Sequence, residues 1–321
     1  MGSRSLEICV LGGTGFLGTR VVSQLAAADH RLRVPTRNVA RHRHIQVLPE
    51  ARLIQCDVHD PDTLLDLVTG CDVAINLVGI LNEKGRAGAG FRQAHTTLTE
   101  NLVEACRRAE VTKLVQLSAL QADAEQGPSH YLRSKGEAER IIIDRAGPLQ
   151  WTILQPSVIF GPGDAFINRF AKLLRGIPLV FPLARPTARF APVYVDDVAL
   201  AVVSAVVDPA TNGRSYELYG PDVYSLHELV TMIAGAIGVR RFIWELPDVL
   251  ARLQAIFMEF LPGKPFSMDN YRSLTVDSVG TVNGLEKLGI TPRSMKLSLS
   301  TSLGAPQSVN RLNIYRQQAG R

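Results

Sequence analysis

The sequence predicts an α/β protein, a doubly wound parallel sheet followed by a smaller, mostly helical C-terminal lobe. Three observations predict this fold class. Short β-type runs alternate with helical stretches through the first half of the 321 residues, the run AINLVG is apolar without polar alternation, and proline and glycine punctuate the chain after Trp151. The alternation predicts a parallel sheet with helices on both faces, and the apolar run predicts a strand buried on both sides.

The predicted elements follow one another at short intervals. The β-type runs are Glu7 to Gly12, Arg31 to Thr36, Arg52 to Cys56, Val73 to Val78, Lys113 to Ser118 and Trp151 to Gln155. The helical stretches are Gly15 to Ala27, Phe91 to Ala109, Val195 to Val207, Leu226 to Ile237 and Leu246 to Phe260. We therefore expect a dinucleotide-binding domain at 1–155 to which 190–215 return, a substrate or partner lobe made of 156–189 and 216–304, and a flexible tail at 305–321.

Composition narrows the function classes. With 46% hydrophobic and 20% charged residues the chain can bury a large core. A net charge of +5 suits an anionic ligand or surface, but no aromatic and basic stacking pattern accompanies it, so no nucleic-acid partner is expected. No uncharged apolar window of 18 or more residues occurs, so no transmembrane segment is expected, and peripheral contact with the inner membrane stays open.

Cysteines and histidines predict no cross-links and no metal site. Cys9, Cys56, Cys71 and Cys106 stand singly in apolar segments, without a CxxC pair or a recognisable secretory leader, which predicts reduced thiols in a bacterial-type cytoplasm. The histidines at 42 and 44 lack further ligand spacing, so no metal is expected there.

Four glycines follow the first predicted strand in the run CVLGGTGFLGTRVV. Gly13, Gly15 and Gly18 form the pattern GxGxxG between a strand and a helix, where glycines permit a tight turn, the approach of a pyrophosphate and close helix packing. Unpaired amides and the helix dipole then face the phosphates. The pattern in this context predicts a dinucleotide site of the Rossmann type, and a glycine-rich turn without a ligand is the alternative.

The end of the second predicted strand bears on the choice of dinucleotide. Folds that bind NAD usually place an acidic residue there for the ribose hydroxyls. This chain has Arg37 instead, within PTRN, and a guanidinium can pair with the 2′-phosphate of NADP. The sequence therefore favours NADP(H) over NAD, while the following RHRH is interpreted as a solvated helix face.

The ends of the next two predicted strands add candidate nucleotide contacts. Asp57 can accept a hydrogen bond from the adenine amino group with Val58 beside it, although a helix-capping role is the alternative and Asp60 fits the cap better. Leu77, Val78 and Gly79 end the fourth strand and can line the cofactor ribose because Gly79 admits a ligand. A plain strand end is the alternative for this segment.

The residue types for proton transfer are Ser118, Tyr131 and Lys135. Ser118 ends a predicted strand, at the sheet edge where α/β proteins bind ligands. Tyr131 and Lys135 are four apart on one helix face. If Lys135 lies beside Tyr131, we expect it to favour the phenolate by about 3 pKa units, roughly 4 kcal/mol, so that Tyr131 exchanges a proton with substrate while a nicotinamide carries the hydride.

These residues resemble the extended, epimerase-like branch of the short-chain dehydrogenase/reductase superfamily. The motifs GGTGFLG, LSAL, YLRSKGEAE, QPSVIFGPGD and PVYVDDVA stand in family order across about residues 6–230. Within that branch, YLRSK, PSVIFGPGDAFINRFAKLL and PVYVDDVALAVVSAVVDP resemble the nucleotide-binding accessory subunits of respiratory complex I and their bacterial relatives.

The resemblance implies a bound NADP(H) with a structural or assembly role, and complex I-type subunits as partners. By position it implies that Tyr131 and Lys135 contact the nicotinamide ribose, that Arg37 contacts the 2′-phosphate, and that Asp196 and Asp197 are structural. It also implies pyrophosphate contacts by Gly12, Gly15 and Gly18, cofactor contacts by Thr14, Phe16 and Leu17, and nicotinamide contacts by Pro156, Val158 and Ile159.

An active oxidoreductase or epimerase is the alternative. It would use Ser118, Tyr131 and Lys135 on a small carbonyl, quinone-like or sugar-nucleotide substrate. Apolar segments of the second lobe carry Arg169, Arg175, Arg185 and Arg189, which could bind a pyrophosphate or rim a partner surface. We interpret the apolar stripe in Leu246 to Phe260 as lobe core, with a membrane or partner contact as the alternative.

Overall fold

The computed structural model describes residues 4–299 apart from 84, 86, 262, 263 and 297, so the predicted tail at 305–321 lies outside the described residues. The strands are β1 (Glu7–Leu11), β2 (Arg31–Thr36), β3 (Ala51–Gln55), β4 (Val73–Asn76), β5 (Lys113–Leu117), β6 (Gln150–Pro156), β7 (Ile159–Phe160), β8 (Val180–Leu183), β9 (Arg189–Phe190), β10 (Val193–Tyr194), β11 (Arg214–Leu218), β12 (Tyr224–Ser225) and β13 (Phe242–Glu245).

The α-helices of the described residues cover both faces of the sheet and much of the second lobe. They are α1 (Phe16–Ala27), α2 (Pro61–Val68), α3 (Ala89–Phe91), α4 (Leu98–Arg108), α5 (His130–Arg145), α6 (Ala165–Gly176), α7 (Val195–Val207), α8 (Leu226–Ala236), α9 (Asp248–Met258), α10 (Met268–Ser273) and α11 (Gly284–Lys287). A π-helical stretch, Arg92–Thr97, joins α3 to α4, and short 3₁₀ turns cover Val39–His42 and Pro209–Thr211.

Seven parallel strands form the central sheet in the order β11-β6-β5-β4-β1-β2-β3. The predicted doubly wound parallel sheet is therefore confirmed. The chain runs outward from β1 in both directions, so the carboxyl ends of β1 and β4 flank the point where strand order reverses, and open α/β sheets bind their ligands at that point. The sequence missed β11, because its polar and apolar residues alternate as in an edge strand.

Alternate residues of each strand build the two cores. Ile8 and Val10 of β1 pack with α1 and α7, whereas Cys9 and Leu11 pack with α2, α4 and α5. Successive side chains of a strand point to opposite faces, so a strand covered on both faces is apolar throughout. Helix α7 lies against α1, so the segment that was predicted to return to the first domain contributes to the core that contains Ile8 and Val10.

The C-terminal lobe combines helices with three two-stranded pairs, β10-β7, β12-β9 and β13-β8. Its core joins Phe160, Ile167 and Leu174 to Leu229 and Ile233 of α8. Helix α11 belongs by sequence to the predicted lobe, but its Leu285 packs with Tyr216 in the same core as Ile8 and Val10 of the central sheet.

Helix α9 corrects one expectation. The apolar stripe in Leu246 to Phe260 was expected to be lobe core, yet α9 buries only Ala251 and Ala255. Leu253 and Phe257 are 56% and 68% exposed. The expectation was wrong for the large residues because the contact with Ala184 and the α10 region is made by the small side chains. Among the described residues no helix is long and apolar enough to cross a membrane.

Candidate functional site

The loop between β1 and α1 leaves backbone amides without partners. Gly15 precedes α1 in extended conformation and has no side chain to cap the helix. The amides of Phe16, Leu17 and Gly18 donate to no acceptor among the described residues. Unpaired amides and the positive end of the helix dipole attract an anion. The loop therefore has the chemistry of a phosphate site.

Gly12 gives this loop its close contact with the end of β4. Its φ of +76° lies in the left-handed region, and a β-carbon there would lie 3.0 Å from the carbonyl carbon of Leu77. The amide of Leu77 donates to the carbonyl of Leu11 at 2.9 Å. The glycine loop and the segment Leu77 to Gly79 therefore lie side by side.

Asn76 holds the end of β4 in place. Its Oδ1 accepts from the amide of Val78 at 3.1 Å, and its Nδ2 donates to Oε1 of Gln116 at 3.0 Å. Both side chains are buried. This network orients the backbone of Leu77, Val78 and Gly79 toward the carboxyl edge of the sheet.

The ends of β2 and β3 bring Arg37, Asp57 and Val58 to the same edge. Arg37 is exposed and forms no hydrogen bond or ion pair within the described part of the chain. Oδ1 of Asp57 accepts from the amide of His59 at 3.0 Å, and α2 is capped instead by Asp60, which accepts from the amide of Thr63 at 2.9 Å. Asp57 is thus not the helix cap.

Ser118 and the ammonium of Lys135 both lie at the carboxyl ends of β4 and β5. The amide of Ser118 donates to the carbonyl of Leu154 at 2.7 Å. Its buried Oγ lies in hydrogen-bond geometry with no described side chain, although it is close enough to the carboxylate of Glu139 to lower the pKa of that group. Nζ of Lys135 donates to the carbonyl oxygens of Leu117 at 3.0 Å and Val78 at 3.5 Å. A buried hydroxyl without a hydrogen bond of good geometry is unusual in folded proteins and suits a group that binds a ligand.

Tyr131 corrects a second expectation. Burial raises its pKa to about 12, and burial lowers the pKa of Lys135 to about 8. The predicted stabilisation of a phenolate by Lys135 is therefore wrong for this arrangement, because desolvation outweighs any charge effect and the ammonium is directed to backbone carbonyls. At neutral pH Tyr131 is a protonated phenol, the form that donates a proton.

His95 is a site residue that sequence reasoning missed. It lies in the π-helical stretch, and its ring packs edge-on against Tyr131 with centroids 5.6 Å apart. Burial, reinforced by the charge of Lys135, lowers its pKa to about 2, so the ring is neutral. The position of His95 beside Tyr131 depends on how the π-helical stretch packs against α5, which the sequence does not show. Such π-helical turns are common at functional sites.

The partners of His95 define its tautomer. The amide of Ile80 can only donate, and it lies 3.1 Å from Nε2, so Nε2 is the acceptor. The proton therefore sits on Nδ1 and is donated to Oγ of Ser134 at 2.8 Å, while that hydroxyl donates to the carbonyl of Tyr131 at 2.9 Å. This chain ties the loop after β4 to the helix turn that carries Tyr131.

Glu139 was also missed. It follows Lys135 by one helical turn on the face shared with Tyr131, and its carboxylate accepts from Nε2 of Gln155 at 2.9 and 3.0 Å. Burial raises its pKa, and the hydroxyl of Ser118, the amide of Gln155 and the charge of Lys135 oppose the rise. The spacing of Tyr131, Lys135 and Glu139 at i, i+4 and i+8 in YLRSKGEAE is the signal that could have identified Glu139 as a site residue.

The remaining predicted residues lie on the connections to the second lobe. Pro156 ends β6, and Val158 and Ile159 lead into β7, which pairs with β10. Asp197 is buried and accepts from the amide of Arg293 at 2.8 Å. Asp196 lies 3.6 Å from Arg20 and 3.8 Å from Arg293. These contacts join α1, α7 and the segment around residue 293.

The four lobe arginines are not gathered at one point. Arg185 pairs with Asp248 at 3.4 Å, and Arg169 lies beside the side-chain amide of Asn82, whose oxygen accepts from it at 3.2 Å when that amide is flipped. Arg175 and Arg189 are exposed. Only Arg169 reaches the loop that follows β4.

The chain is similar to NAD(P)H-binding proteins. A family model described as NAD(P)H-binding matches residues 12–164. The chain is 30% identical over 304 residues to NADH dehydrogenase [ubiquinone] 1 alpha subcomplex subunit 9, mitochondrial, of Arabidopsis thaliana, covering 89% of this chain and 74% of that protein. It is 29% identical over 241 residues to the ceramide reductase of Caulobacter vibrioides, covering 75% of this chain and 74% of that enzyme.

A solved structure shows the same fold. A nucleoside-diphosphate-sugar epimerase from Staphylococcus aureus superposes with a TM-score of 0.73 at 20% identity, covering 92% of this chain and 100% of that chain. At this identity the likeness concerns the arrangement of strands and helices alone. It agrees with the parallel sheet and the smaller second lobe described above.

Proposed function

The chain belongs to the extended, NAD(P)H-binding short-chain dehydrogenase/reductase-like family that includes subunit 9 of mitochondrial complex I, and on that premise we propose that it holds NADP(H) as a lasting part of its structure. The observation that carries the proposal is the set of unpaired amides of Phe16, Leu17 and Gly18 beside the bare Gly15. In this role the nucleotide stabilises the fold and supports assembly with complex I-type subunits in a bacterial cytoplasm or at its inner membrane.

The residues present fit a dinucleotide along the carboxyl edge of the sheet. The β1-α1 loop would hold the diphosphate, the ends of β3 and β4 the adenine and ribose, and the start of the second lobe the nicotinamide. The residues in these roles would be Gly12, Thr14, Gly15, Phe16 and Leu17; Asp57, Val58, Leu77, Val78 and Gly79; Tyr131 and Lys135; and Pro156, Val158 and Ile159.

Arg37 supports NADP(H) over NAD(H). Its guanidinium is exposed at the end of β2 and unpaired within the described residues, and no acidic side chain stands in the run PTRN where NAD-binding folds place one. A phosphate on the ribose would gain a charge-assisted hydrogen bond that a hydroxyl lacks.

Nucleotide release and thermal unfolding test the structural role. Purified protein should release NADP(H) on denaturation, and NADPH at a hundred times its dissociation constant should add about 2.7 kcal/mol to the unfolding free energy. Protein that releases no nucleotide, and whose melting temperature does not move with saturating NADPH, would contradict the proposal.

A second candidate, a carbonyl reductase, is favoured by the buried Oγ of Ser118, which has no hydrogen bond of good geometry to a described side chain. When bound, NADPH supplies a hydride. Ser118 would donate a hydrogen bond to the carbonyl oxygen of the substrate, and Tyr131 would transfer its proton to that oxygen and recover one from solvent. At neutral pH Tyr131 is protonated, which is the form that the reduction requires. The apolar second lobe supports a small apolar or quinone-like carbonyl over a sugar nucleotide.

NADPH oxidation with such carbonyls tests the second candidate. Tyr131→Phe should abolish turnover while nucleotide retention and melting temperature stay nearly unchanged, because the variant removes only the transferred proton. If the wild-type protein retains its nucleotide but turns over none of these substrates, the structural role is supported and the reductase is not.

A further inference from the structure

Large apolar side chains face outward on neighbouring elements of the C-terminal lobe. Leu179 and Phe257 are 79% and 68% exposed. We call this surface the apolar face and define it by Leu179, Phe242, Trp244, Val249, Leu253 and Phe257.

Hydrogen bonds join the elements that carry the apolar face. The amide of Phe242 donates to the carbonyl of Leu179 at 2.9 Å, and Phe242 and Trp244 stand two apart on β13, so they share a side. Nε2 of Gln254 donates to the carbonyl of Pro182 at 3.1 Å, which places α9 beside β8. The exposed side chains of the two regions therefore lie on adjoining elements.

Folding stability does not account for this arrangement. Helix α9 turns Ala251 and Ala255 inward and its large residues outward, the reverse of a helix that packs its apolar stripe into a core. Leu179 adopts a φ of +59°, a strained value for a bulky residue, while its side chain lies in solvent. Exposed apolar patches with polar rims commonly mark contact surfaces.

The part of the apolar face formed by Leu179, Phe242 and Trp244 has basic surroundings. The segments 165–183 and 229–244 contain no Asp or Glu, and their cations are Arg169, Lys172, Arg175, Arg240 and Arg241. Arg175 and Arg240 are exposed and their side chains form no ion pair within the described residues. The next acids along the chain are already paired, Glu245 with His227 at 2.8 Å and Asp248 with Arg252 at 2.9 Å.

We propose that the apolar face docks on an anionic lipid bilayer. Leu253 and Phe257 would enter the interface together with Leu179, Phe242 and Trp244, since aromatic rings are favoured there. Arg175 and Arg240 would contact the headgroups. A second copy of the chain fits less well, because a two-fold contact would bring the same unpaired cations together. The inference is independent of whether the nucleotide turns over.

Vesicle flotation tests the proposal on the full-length protein. Vesicles of phosphatidylcholine mixed with an equal amount of phosphatidylglycerol should bind it more strongly than vesicles of phosphatidylcholine alone. Leu253→Ser with Phe257→Ser should lower the partition coefficient at least about tenfold, and Arg175→Gln or Arg240→Gln about fivefold at low salt. NADPH binding and melting temperature, measured in each variant, report that it is folded.

Exposed apolar residues outside the apolar face provide the matched control. Val47→Ser with Val282→Ser, at positions 76% and 53% exposed, should leave the partition coefficient unchanged. Absence of wild-type flotation, or equal losses in the control and the α9 variant, would overturn the proposal. So would a wild-type dimer in sedimentation velocity that Leu253→Ser with Phe257→Ser dissociates while vesicle binding stays intact.

Discussion

A β-carbon on Gly18 would lie 2.1 Å from the carbonyl oxygen of Gly12, so the first turn of α1 rests directly on the loop before it. The contact is with backbone, which cannot swing aside as a flexible side chain could. Gly18→Ala should therefore destabilise the protein by at least about 1–3 kcal/mol and displace the amides of the loop. Chemical denaturation measures the first effect and NADPH titration the second.

Gly235 offers the control for this substitution. It lies inside α8, and a β-carbon there would meet nothing within 4 Å. Gly235→Ala should stabilise the protein by about 0.5–1 kcal/mol, because alanine loses less backbone entropy in a helix. Similar unfolding free energies for the two variants would show that the contact of Gly18 with Gly12 is not tight.

Arg37→Ala should remove the preference for NADPH over NADH. A charge-assisted hydrogen bond to the 2′-phosphate contributes about 1.5–3 kcal/mol, so NADPH affinity should fall by about ten- to a hundredfold while NADH affinity stays nearly constant. Calorimetric titration of both nucleotides measures this. Arg41→Ala, an exposed arginine in RHRH, is the matched control and should change neither affinity much. A preference that survives Arg37→Ala would assign the 2′-phosphate to other residues.

The central sheet could be predicted because the order of apolar and polar residues in each strand reflects which of its faces are covered. Runs such as AINLVG are apolar since both faces are covered, and the glycines of GGTGFLG reflect contacts within a few residues along the chain. Strand β11 escaped prediction because an edge strand alternates polar and apolar residues. Helix α9 was misassigned because periodicity identifies an apolar stripe but not what packs against it.

His95→Phe should cost about 2–4 kcal/mol of unfolding free energy. The substitution leaves the partly buried amide of Ile80 without its partner, at about 1–3 kcal/mol, and removes one of the two hydrogen bonds of the Ser134 hydroxyl, which still donates to the carbonyl of Tyr131. His44→Phe, on an exposed histidine, should change the value by no more than about 0.5 kcal/mol. Denaturant titration distinguishes them, and equal effects would mean that the chain through His95 adds little to stability.

Stability should rise with pH as Lys135 titrates. Its pKa is about 8 in the folded protein and 10.5 in its ordinary range, so between those values the unfolded chain binds the extra proton. Below pH 8 Lys135 is charged in both the folded and the unfolded state, and its burial lowers the unfolding free energy by about 3 kcal/mol. This loss disappears by pH 10.5. The rise should be smaller in Lys135→Met by that amount, measured by denaturation across this range. Parallel pH profiles for the two proteins would contradict the low pKa.

Part of the candidate site could be anticipated and part could not. Ser118, Tyr131 and Lys135 were named from residue type and spacing, and the fold brings Ser118 and Lys135 to adjoining strand ends. The raised pKa of Tyr131 depends on burial by residues distant in sequence, such as Phe91 and His95, which spacing alone does not reveal. The role of His95 depends on a π-helical turn and on partners 15 and 39 residues away.

The most direct test of a dinucleotide at the β1-α1 loop is the amide chemical shifts of Phe16, Leu17 and Gly18 during titration with NADPH. Amides that bond to a diphosphate should move downfield in a saturable way, while those of Gly235 and Gly238 in the second lobe should stay in place. Unchanged shifts at all three loop amides under saturating NADPH would contradict the account.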